Sequence, residues 1–176
     1  MELLYISLAV MLLLLFYYRV IAPIRLEKKI IDLLGPLEEQ GFVLTVEKNQ
    51  PYQYALESQD RLFLIYVCSI PSNSTVTINS KETWSLTWGG NPRNKGRAYP
   101  NQRYLMELTS FLKREFKFDK PTQKIIILYP YTENILRYLN ESELEIIHSQ
   151  DSPYGYKVMM ANTFINDFMN ILGGSQ

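Results

Sequence analysis

Leu62-Phe63-Leu64-Ile65-Tyr66-Val67-Cys68 is the stretch of sequence that decides the fold. It carries no charge and is rich in β-branched and aromatic side chains. Arg61 precedes it, and turn-forming residues follow it from Ser69 onward. Its length favours a strand over a helix, and its lack of polar alternation indicates that both faces are covered. We therefore predict the central strand of a mixed sheet flanked by helices, with one strand of a β-sandwich as the alternative.

Composition sets the next limits. The chain has 176 residues, 47% of them hydrophobic, which is enough to build a core. Lys and Arg number 18, as do Asp and Glu, so no net charge steers the protein toward a polyanion. Cys68 is the single cysteine and His148 the single histidine. An intrachain disulfide is therefore excluded, and a zinc site would need several carboxylates.

The first 22 residues predict a transmembrane anchor. Leu3 to Ala22 is apolar except for Arg19, and a helix of this length spans about 30 Å, the thickness of the hydrocarbon layer. A secretory signal peptide is the alternative, but no basic segment precedes the apolar run and no small-residue cleavage site follows it. Basic residues follow the span, so the N-terminus is expected outside and the globular domain in the cytoplasm. These residues are Arg19, Arg25, Lys28 and Lys29.

The rest of the chain predicts a juxtamembrane helix over 23–41 and a globular domain over 42–176. The helix has an apolar stripe at helical spacing and basic residues that could contact membrane lipid. The domain is expected to be α/β (α+β), with one mixed central sheet. We predict strands at 42–47, 52–57, 62–68, 75–79, 83–88, 124–129 and 144–148, and helices at 101–116, 133–139 and 159–172.

Charge is distributed unevenly along the domain. Residues 81–124 hold ten basic and four acidic side chains, whereas the residues after 124 hold two basic and six acidic ones. A glycine-containing loop lies over 89–97, but its glycines lack the spacing of a phosphate-binding loop. The candidate polyanion-binding residues are Arg93, Lys95, Arg97 and Arg103. A solvated face is the alternative explanation of such a basic segment.

Three features of the sequence resemble the nuclease-related domain (NERD) family of the restriction-endonuclease-like superfamily. A hairpin from Tyr52 leads into the apolar strand at 62–68, and Trp84 follows after a short β segment. Tyr99-Pro100-Asn101-Gln102 then opens a predicted helix. The resemblance covers roughly residues 26–129. It implies a central mixed sheet between helices and Mg²⁺-dependent phosphodiester cleavage, and some members of that family carry an N-terminal membrane span.

The resemblance also places the family's catalytic positions on this chain. The metal-binding aspartate aligns with Gln53, and the acid-x-lysine pair aligns with Tyr66 and Cys68. Mg²⁺ takes hard oxygen ligands, including at least one or two carboxylates, and a phenol and a thiol are poor replacements. We therefore interpret these three positions as vestigial and expect no metal ligand among them. The nearest acids that could substitute are Glu47, Glu57 and Asp60.

Three functions follow as hypotheses. The first is a membrane-anchored, non-enzymatic domain that binds a protein partner or helps to assemble a membrane complex, with no cofactor. The second is a Mg²⁺-dependent nuclease that uses substitute residues. The third is a nucleic-acid-binding module without catalysis. Nucleophilic catalysis by Cys68 and His148 is not expected, because nothing in the sequence brings the two together.

Overall fold

The computed structural model describes residues 2–140 and 143–173. These residues form two units, one ending at Gln40 and one beginning at Gly41. Met1, which belongs to the predicted anchor, and residues 174–176, which belong to the predicted globular domain, lie outside the described residues.

The N-terminal unit is helical. Helix α1 (Glu2–Phe16) continues through a π-helical turn (Tyr17–Ile21) into α2 (Ala22–Leu34), and a 3₁₀ helix (Gly35–Gln40) follows. The predicted break at Gly35 is where α2 ends, since Pro36 cannot donate a backbone hydrogen bond to continue the helix. The apolar helix near the N-terminus is long enough to cross a membrane by length and composition, a test that a signal sequence also passes.

The second unit contains ten strands and two α-helices in its described residues. The strands are β1 (Val43–Val46), β2 (Tyr54–Glu57), β3 (Leu62–Ser69), β4 (Ser74–Ile78), β5 (Trp84–Trp88), β6 (Arg97–Ala98), β7 (Thr122–Tyr129), β8 (Ile135–Asn140), β9 (Glu143–Ile146) and β10 (Tyr156–Met160). The helices are α3 (Met106–Lys113) and α4 (Phe164–Gly173). The fold is thus mixed α+β, as the sequence predicts at this coarse level.

The strands form two mixed five-stranded sheets rather than the single sheet expected from the sequence. The first sheet has the order β1-β2-β3-β7-β10, and the second has the order β6-β5-β4-β8-β9. The chain passes from β3 in one sheet to β4 in the other across the turn at Pro71, where the Ser74 N–H donates to the Pro71 carbonyl over 3.1 Å. Strand patterning predicts strands but does not assign them to sheets, which is why the second sheet was missed.

Strand β3 is the centre of the first sheet, and this prediction is confirmed. It pairs antiparallel with β2 and parallel with β7. Its residues from Phe63 to Cys68 are buried on both faces. Leu64 and Cys68 belong to the hydrophobic core that also contains α3 and the inner face of the second sheet. On the opposite face Phe63 contacts Phe168 of α4, with 5.0 Å between ring centroids.

Two predicted helices are wrong over part or all of their length. Residues 135–139 of the first predicted helix belong to strand β8, because they pair with β4 and β9 and bury Ile135 and Leu136 in the second sheet. Residues 159–160 end strand β10, which pairs with β7, and helix α4 starts only at Phe164. In both segments sheet pairing overrides a local apolar spacing that also fits a helix.

The helix predicted over 101–116 is present but shorter. A 3₁₀ turn (Arg103–Leu105) precedes α3, which ends at Lys113. Its buried residues are Leu108, Phe111 and Leu112, which recur at helical spacing. The short helix is packed in the core against β3 and presents its C-terminal carbonyls to β7, an arrangement that bears on the candidate site.

Candidate functional site

Gln53, the first vestigial position, completes the hydrogen bonding of the central strand. It lies just before β2, where the pairing of β2 with β3 stops, and its backbone N–H donates to the Ile65 carbonyl over 3.0 Å. Beyond this point the side-chain amide of Gln53 replaces a backbone peptide group as the hydrogen-bonding partner of β3. The Val67 N–H donates to Gln53 Oε1 over 2.5 Å, and Gln53 Nε2 donates to the Val67 carbonyl over 3.4 Å. The side chain thus acts as an additional peptide group beside β3.

Tyr66, the second vestigial position, is a core residue. Its ring stacks on Phe111 of α3, with 5.6 Å between centroids and 19° between planes. The side chain is only 6% exposed. Burial raises the pKa of the Tyr66 phenol well above its ordinary value, and the nearby Cys68 and Glu107 raise it further. A phenol in this environment stays neutral and is a poor ligand for a hard cation.

Cys68, the third vestigial position, is buried on the same face of β3. Its thiol donates to the Tyr104 carbonyl, with 3.3 Å between Sγ and the oxygen. Burial raises the pKa of this thiol to about 12, and Glu107 contributes to the increase. The thiolate that acts as nucleophile or soft-metal ligand is therefore disfavoured. His148, by contrast, is exposed, and its backbone N–H donates to Asp151.

The three positions do not fit Mg²⁺. Gln53 has both ends of its amide engaged with Val67, and the other two side chains are held protonated in the core. Mg²⁺ would need hard oxygen donors in near-octahedral geometry at this point. Within residues 2–140 and 143–173, no three His, Cys, Asp or Glu side chains are grouped so that they could hold a metal ion.

Two of the three substitute acids lie in one cleft. Glu47 and Glu57 line a cleft of about 320 Å³ together with Asp119 and Lys120. Lys120 forms an ion pair with Glu57 at 2.5 Å and also donates to the Ser58 carbonyl. The Glu57 carboxylate is therefore already paired with a cation that the protein supplies. Glu57 is the cross-strand partner of Leu62, so this cleft lies on the face of β3 that also carries Tyr66.

Asp60, the third substitute acid, lies in a second cleft of about 400 Å³ that the sequence analysis missed. Just over half of its lining residues are apolar, and its basic residues are Arg61 and Lys157. Both basic groups already have partners in the protein. Arg61 pairs with Asp60 at 3.8 Å, and the Lys157 ammonium donates to the Gln150 carbonyl at 2.5 Å. The cleft therefore has a shape suited to an apolar ligand but few free polar groups to orient one.

Lys124 is a structural residue that the sequence analysis placed only at the start of a charge-poor strand. From β7 its ammonium donates to the carbonyls of Phe111, Leu112 and Arg114 at 2.8, 3.0 and 2.6 Å. These carbonyls end α3 and have no partner within the helix. Burial lowers the pKa of Lys124, and Lys81 adds to this effect. A lone lysine at an inward position of a strand is the sequence signal for such a cap.

Gln102, the glutamine that carries part of the family resemblance, repeats the arrangement of Gln53. The Leu86 N–H donates to Gln102 Oε1, and Gln102 Nε2 donates to the Leu86 carbonyl, both over 2.9 Å. The amide also donates to the Tyr99 carbonyl over 2.7 Å. Two glutamines thus complete the edges of two strands, one in each sheet. Both have a structural role that their sequence positions alone do not reveal.

The four candidate polyanion-binding residues are all exposed but do not form one cluster. Arg97 is the cross-strand partner of Trp88, so both side chains lie on the same face of the second sheet. The Lys95 ammonium instead lies over the Tyr138 ring at 4.2 Å from its centroid. Tyr138 follows Arg137 in β8 and therefore lies on the opposite face from Ile78 and Trp88. Arg93 lies at the tip of the β5–β6 hairpin, and Arg103 precedes the exposed Tyr104.

Comparison with known proteins does not identify a family. No family model, no curated protein and no solved structure matches the chain. The resemblance to the nuclease-related domain family therefore stays a prediction, and the function has to be argued from the residues.

Proposed function

We propose that the protein is a membrane-anchored, non-enzymatic subunit that binds a protein partner or helps to assemble a membrane complex. The observation that carries this proposal is that the side chains at the three vestigial positions are all engaged in packing or hydrogen bonding within the fold. Gln53 completes the β3 ladder, Tyr66 stacks on Phe111, and Cys68 donates to a backbone carbonyl in the core. Each side chain contributes to folding, and none is free to bind a metal or activate water.

The anchor is the second part of the proposal. Helix α1 and the turn that follows it supply the apolar length that a bilayer span requires. Tyr17 and Tyr18 suit the interfacial region, and Arg25 and Lys28 suit the negatively charged cytoplasmic surface. We propose a single-pass protein with its N-terminus outside and the unit from Gly41 in the cytoplasm.

A nuclease-like scaffold is the third part of the proposal. The β2–β3 hairpin, the parallel strand β7 and the helix that follows Gln102 support it, since this order agrees with the resemblance. A scaffold that keeps its sheet but fills its cleft with core residues can present its surface to a partner. In this account the partner recognises the exterior of the fold, and the former catalytic face contributes stability only.

The experiment is purification of the full chain from membranes in mild detergent, followed by measurement of its mass and composition. The expected result is a complex of defined stoichiometry in which one other membrane protein is retained. A matched variant replaces Leu3 to Ala22 with an unrelated apolar span of equal length, to separate association through the helix from association through the globular unit. A monomeric full chain without any partner would contradict the proposal.

A second candidate function is a nuclease with substitute ligands, and the carboxylate cleft favours it. Glu47, Glu57 and Asp119 line one cleft, where Lys120 pairs with Glu57. In the described residues these acids are not grouped closely enough to hold a metal ion, so this candidate requires Lys120 to be released and the cleft to rearrange. Cleavage that depends on Mg²⁺ or Mn²⁺ and is lost in Glu47→Gln would support this candidate. Cleavage that persists in Glu47→Gln, or no cleavage by the wild type, would exclude this cleft as a catalytic centre.

A further inference from the structure

An exposed row of aromatic rings lies where the inner face of the second sheet leaves the core. Trp88 and Tyr104 are 39% and 40% exposed, and the half-buried Tyr99 lies between them. The centroid distances are 4.8 Å from Trp88 to Tyr99 and 6.4 Å from Tyr99 to Tyr104, both edge to face. Because each ring rests against the next, the row is held in place without a partner.

Two arginines flank this row. Arg97 lies beside Trp88 across the β5–β6 pair, and Arg103 precedes Tyr104 in the 3₁₀ turn. The backbone N–H of Arg103 donates to Asn101 Oδ1 over 3.0 Å, which fixes the start of that turn. In the described part of the chain neither guanidinium is in an ion pair. Both cations are thus available to an external anion.

The hairpin that carries Arg97 is preformed. Gly96 has φ +74°, and a Cβ at this position would lie 2.5 Å from the carbonyl oxygens of Trp88 and Gly89. Asn94 Oδ1 accepts the Gly96 N–H over 3.0 Å, and Asn91 and Asn94 exchange two backbone hydrogen bonds. Little conformational entropy therefore remains to be lost when this surface meets a partner.

We propose that this surface, formed by Trp88, Arg97, Tyr99, Arg103 and Tyr104, docks on the anionic phospholipid headgroups of the membrane. Trp and Tyr prefer the membrane interface, and each basic residue near an anionic leaflet adds about 1 kcal/mol of attraction. The inference rests on the proposed anchor, which keeps the surface at a high effective concentration near the bilayer.

Edge-to-face packing favours a headgroup layer over single-stranded nucleic acid. Stacking of successive bases needs open ring faces along the row. Here the Trp88 and Tyr99 rings meet at 61° and the Tyr99 and Tyr104 rings at 77°, so each ring shields part of its neighbour. An interfacial location needs only rings that are apolar at one end and polar at the other, together with cations beside the phosphates.

The test uses the fluorescence of Trp88. The chain has two tryptophans, and Trp84 is only 8% exposed. In full-length Trp84→Phe, emission therefore comes from Trp88 alone. The protein is placed in nanodiscs of phosphatidylcholine, with or without phosphatidylserine, that contain lipids brominated on the acyl chain. We expect quenching in the anionic discs that is reversed by high salt, and little quenching in the neutral discs.

Two variants make the test specific. Arg97→Gln and Arg103→Gln should each weaken docking roughly fivefold. Lys113→Gln removes an exposed charge from α3 and is the matched control, which should leave quenching unchanged. If Trp84→Phe does not fold, the difference in emission between the wild type and Trp88→Phe supplies the same signal.

The outcomes separate the two proposals. Equal Trp88 emission in neutral and anionic discs would overturn the docking surface, as would stronger quenching by single-stranded DNA than by lipid. If the chain does not co-elute with the discs, the proposed anchor fails instead. The same emission measured with added phosphatidylserine vesicles would then still decide whether the surface binds anionic lipid.

Discussion

Replacement of Gln53 by methionine tests whether this vestigial position stabilises the fold. Gln53→Met keeps the length of the side chain and removes both hydrogen bonds to Val67. Val67 is 8% exposed, so its N–H and carbonyl would lose their partners away from water. A buried group left without a partner costs about 1–3 kcal/mol. Because the hydrogen bond from Gln53 Nε2 to the Val67 carbonyl is long, at 3.4 Å, most of the lost free energy comes from the unpaired Val67 N–H. We expect the free energy of unfolding to fall by about 2–4 kcal/mol.

The assay is urea unfolding of the full chain in mild detergent, followed by tryptophan fluorescence. Both tryptophans lie in the unit from Gly41, so the signal reports the unfolding of that unit. Gln59→Met, at an exposed position of the same hairpin, is the matched control and should change stability by less than about 0.5 kcal/mol. A Gln53→Met protein as stable as the control would refute the structural role of Gln53.

A second substitution at this position adds a pH dependence. In Gln53→Glu a carboxylate still accepts the Val67 N–H but faces the Val67 carbonyl without a proton to donate. The protonated carboxyl restores the donor, so the pKa of the new side chain should be raised in the folded state. The stabilisation that the new carboxyl provides is then present below the ordinary Glu pKa of about 4.3. It is lost as the pH rises through the pKa of this carboxyl in the folded state. Urea midpoints measured across this range give the sign directly, and a loss of stability toward acid pH would contradict the geometry.

Three further predictions concern other parts of the fold. Lys124→Met should lower the free energy of unfolding by about 2–4 kcal/mol because it leaves the last carbonyls of α3 unpaired, whereas the exposed Lys113→Met should stay within about 0.5 kcal/mol in the same urea assay. Tyr66→Phe should resist alkaline unfolding better than the wild type. The folded-state pKa of Tyr66 is raised above 10.0, so the wild type loses stability as the pH rises beyond that value, and thermal unfolding at alkaline pH measures the difference. Gly96→Ala should destabilise the β5–β6 hairpin by more than about 1 kcal/mol, seen as a red shift of Trp88 emission at low urea.

Part of the fold could be predicted from sequence. The charge-free run at 62–68 predicts a strand covered on both faces, and β3 is that strand. The hairpin before it, with turn residues at Ser58 and Asp60, was also predictable from local chemistry. These features depend on residues close together in the chain, where patterning and turn chemistry give the most information.

The second sheet could not be predicted in the same way. Ile135 and Leu136 are buried because β8 pairs with β4, which lies almost sixty residues earlier in the chain. No local pattern encodes that pairing, and the spacing of Ile135, Leu136 and Leu139 fits one face of a helix. The same reason explains why the predicted closing helix begins at Met159 and Met160, which are the last two residues of β10.

The sequence gives the residue types at the candidate positions but not their contacts. The sequence shows directly that none of the positions 53, 66 and 68 carries a carboxylate. The hydrogen bonds of Gln53 to Val67 and the stacking of Tyr66 on Phe111 could not be predicted, because both partners come from other elements. Sequence spacing also could not show that Lys95 and Arg97 lie on opposite faces of the second sheet.

The central claim is that the scaffold carries no catalytic metal site at its vestigial positions. The most direct test incubates the full chain with labelled single- and double-stranded DNA and RNA in Mg²⁺, Mn²⁺ or EDTA, with cleavage and binding scored together. We expect no metal-dependent cleavage with any substrate. Cleavage that requires the metal and is lost in Gln53→Met or Tyr66→Phe, while both variants remain folded, would contradict it.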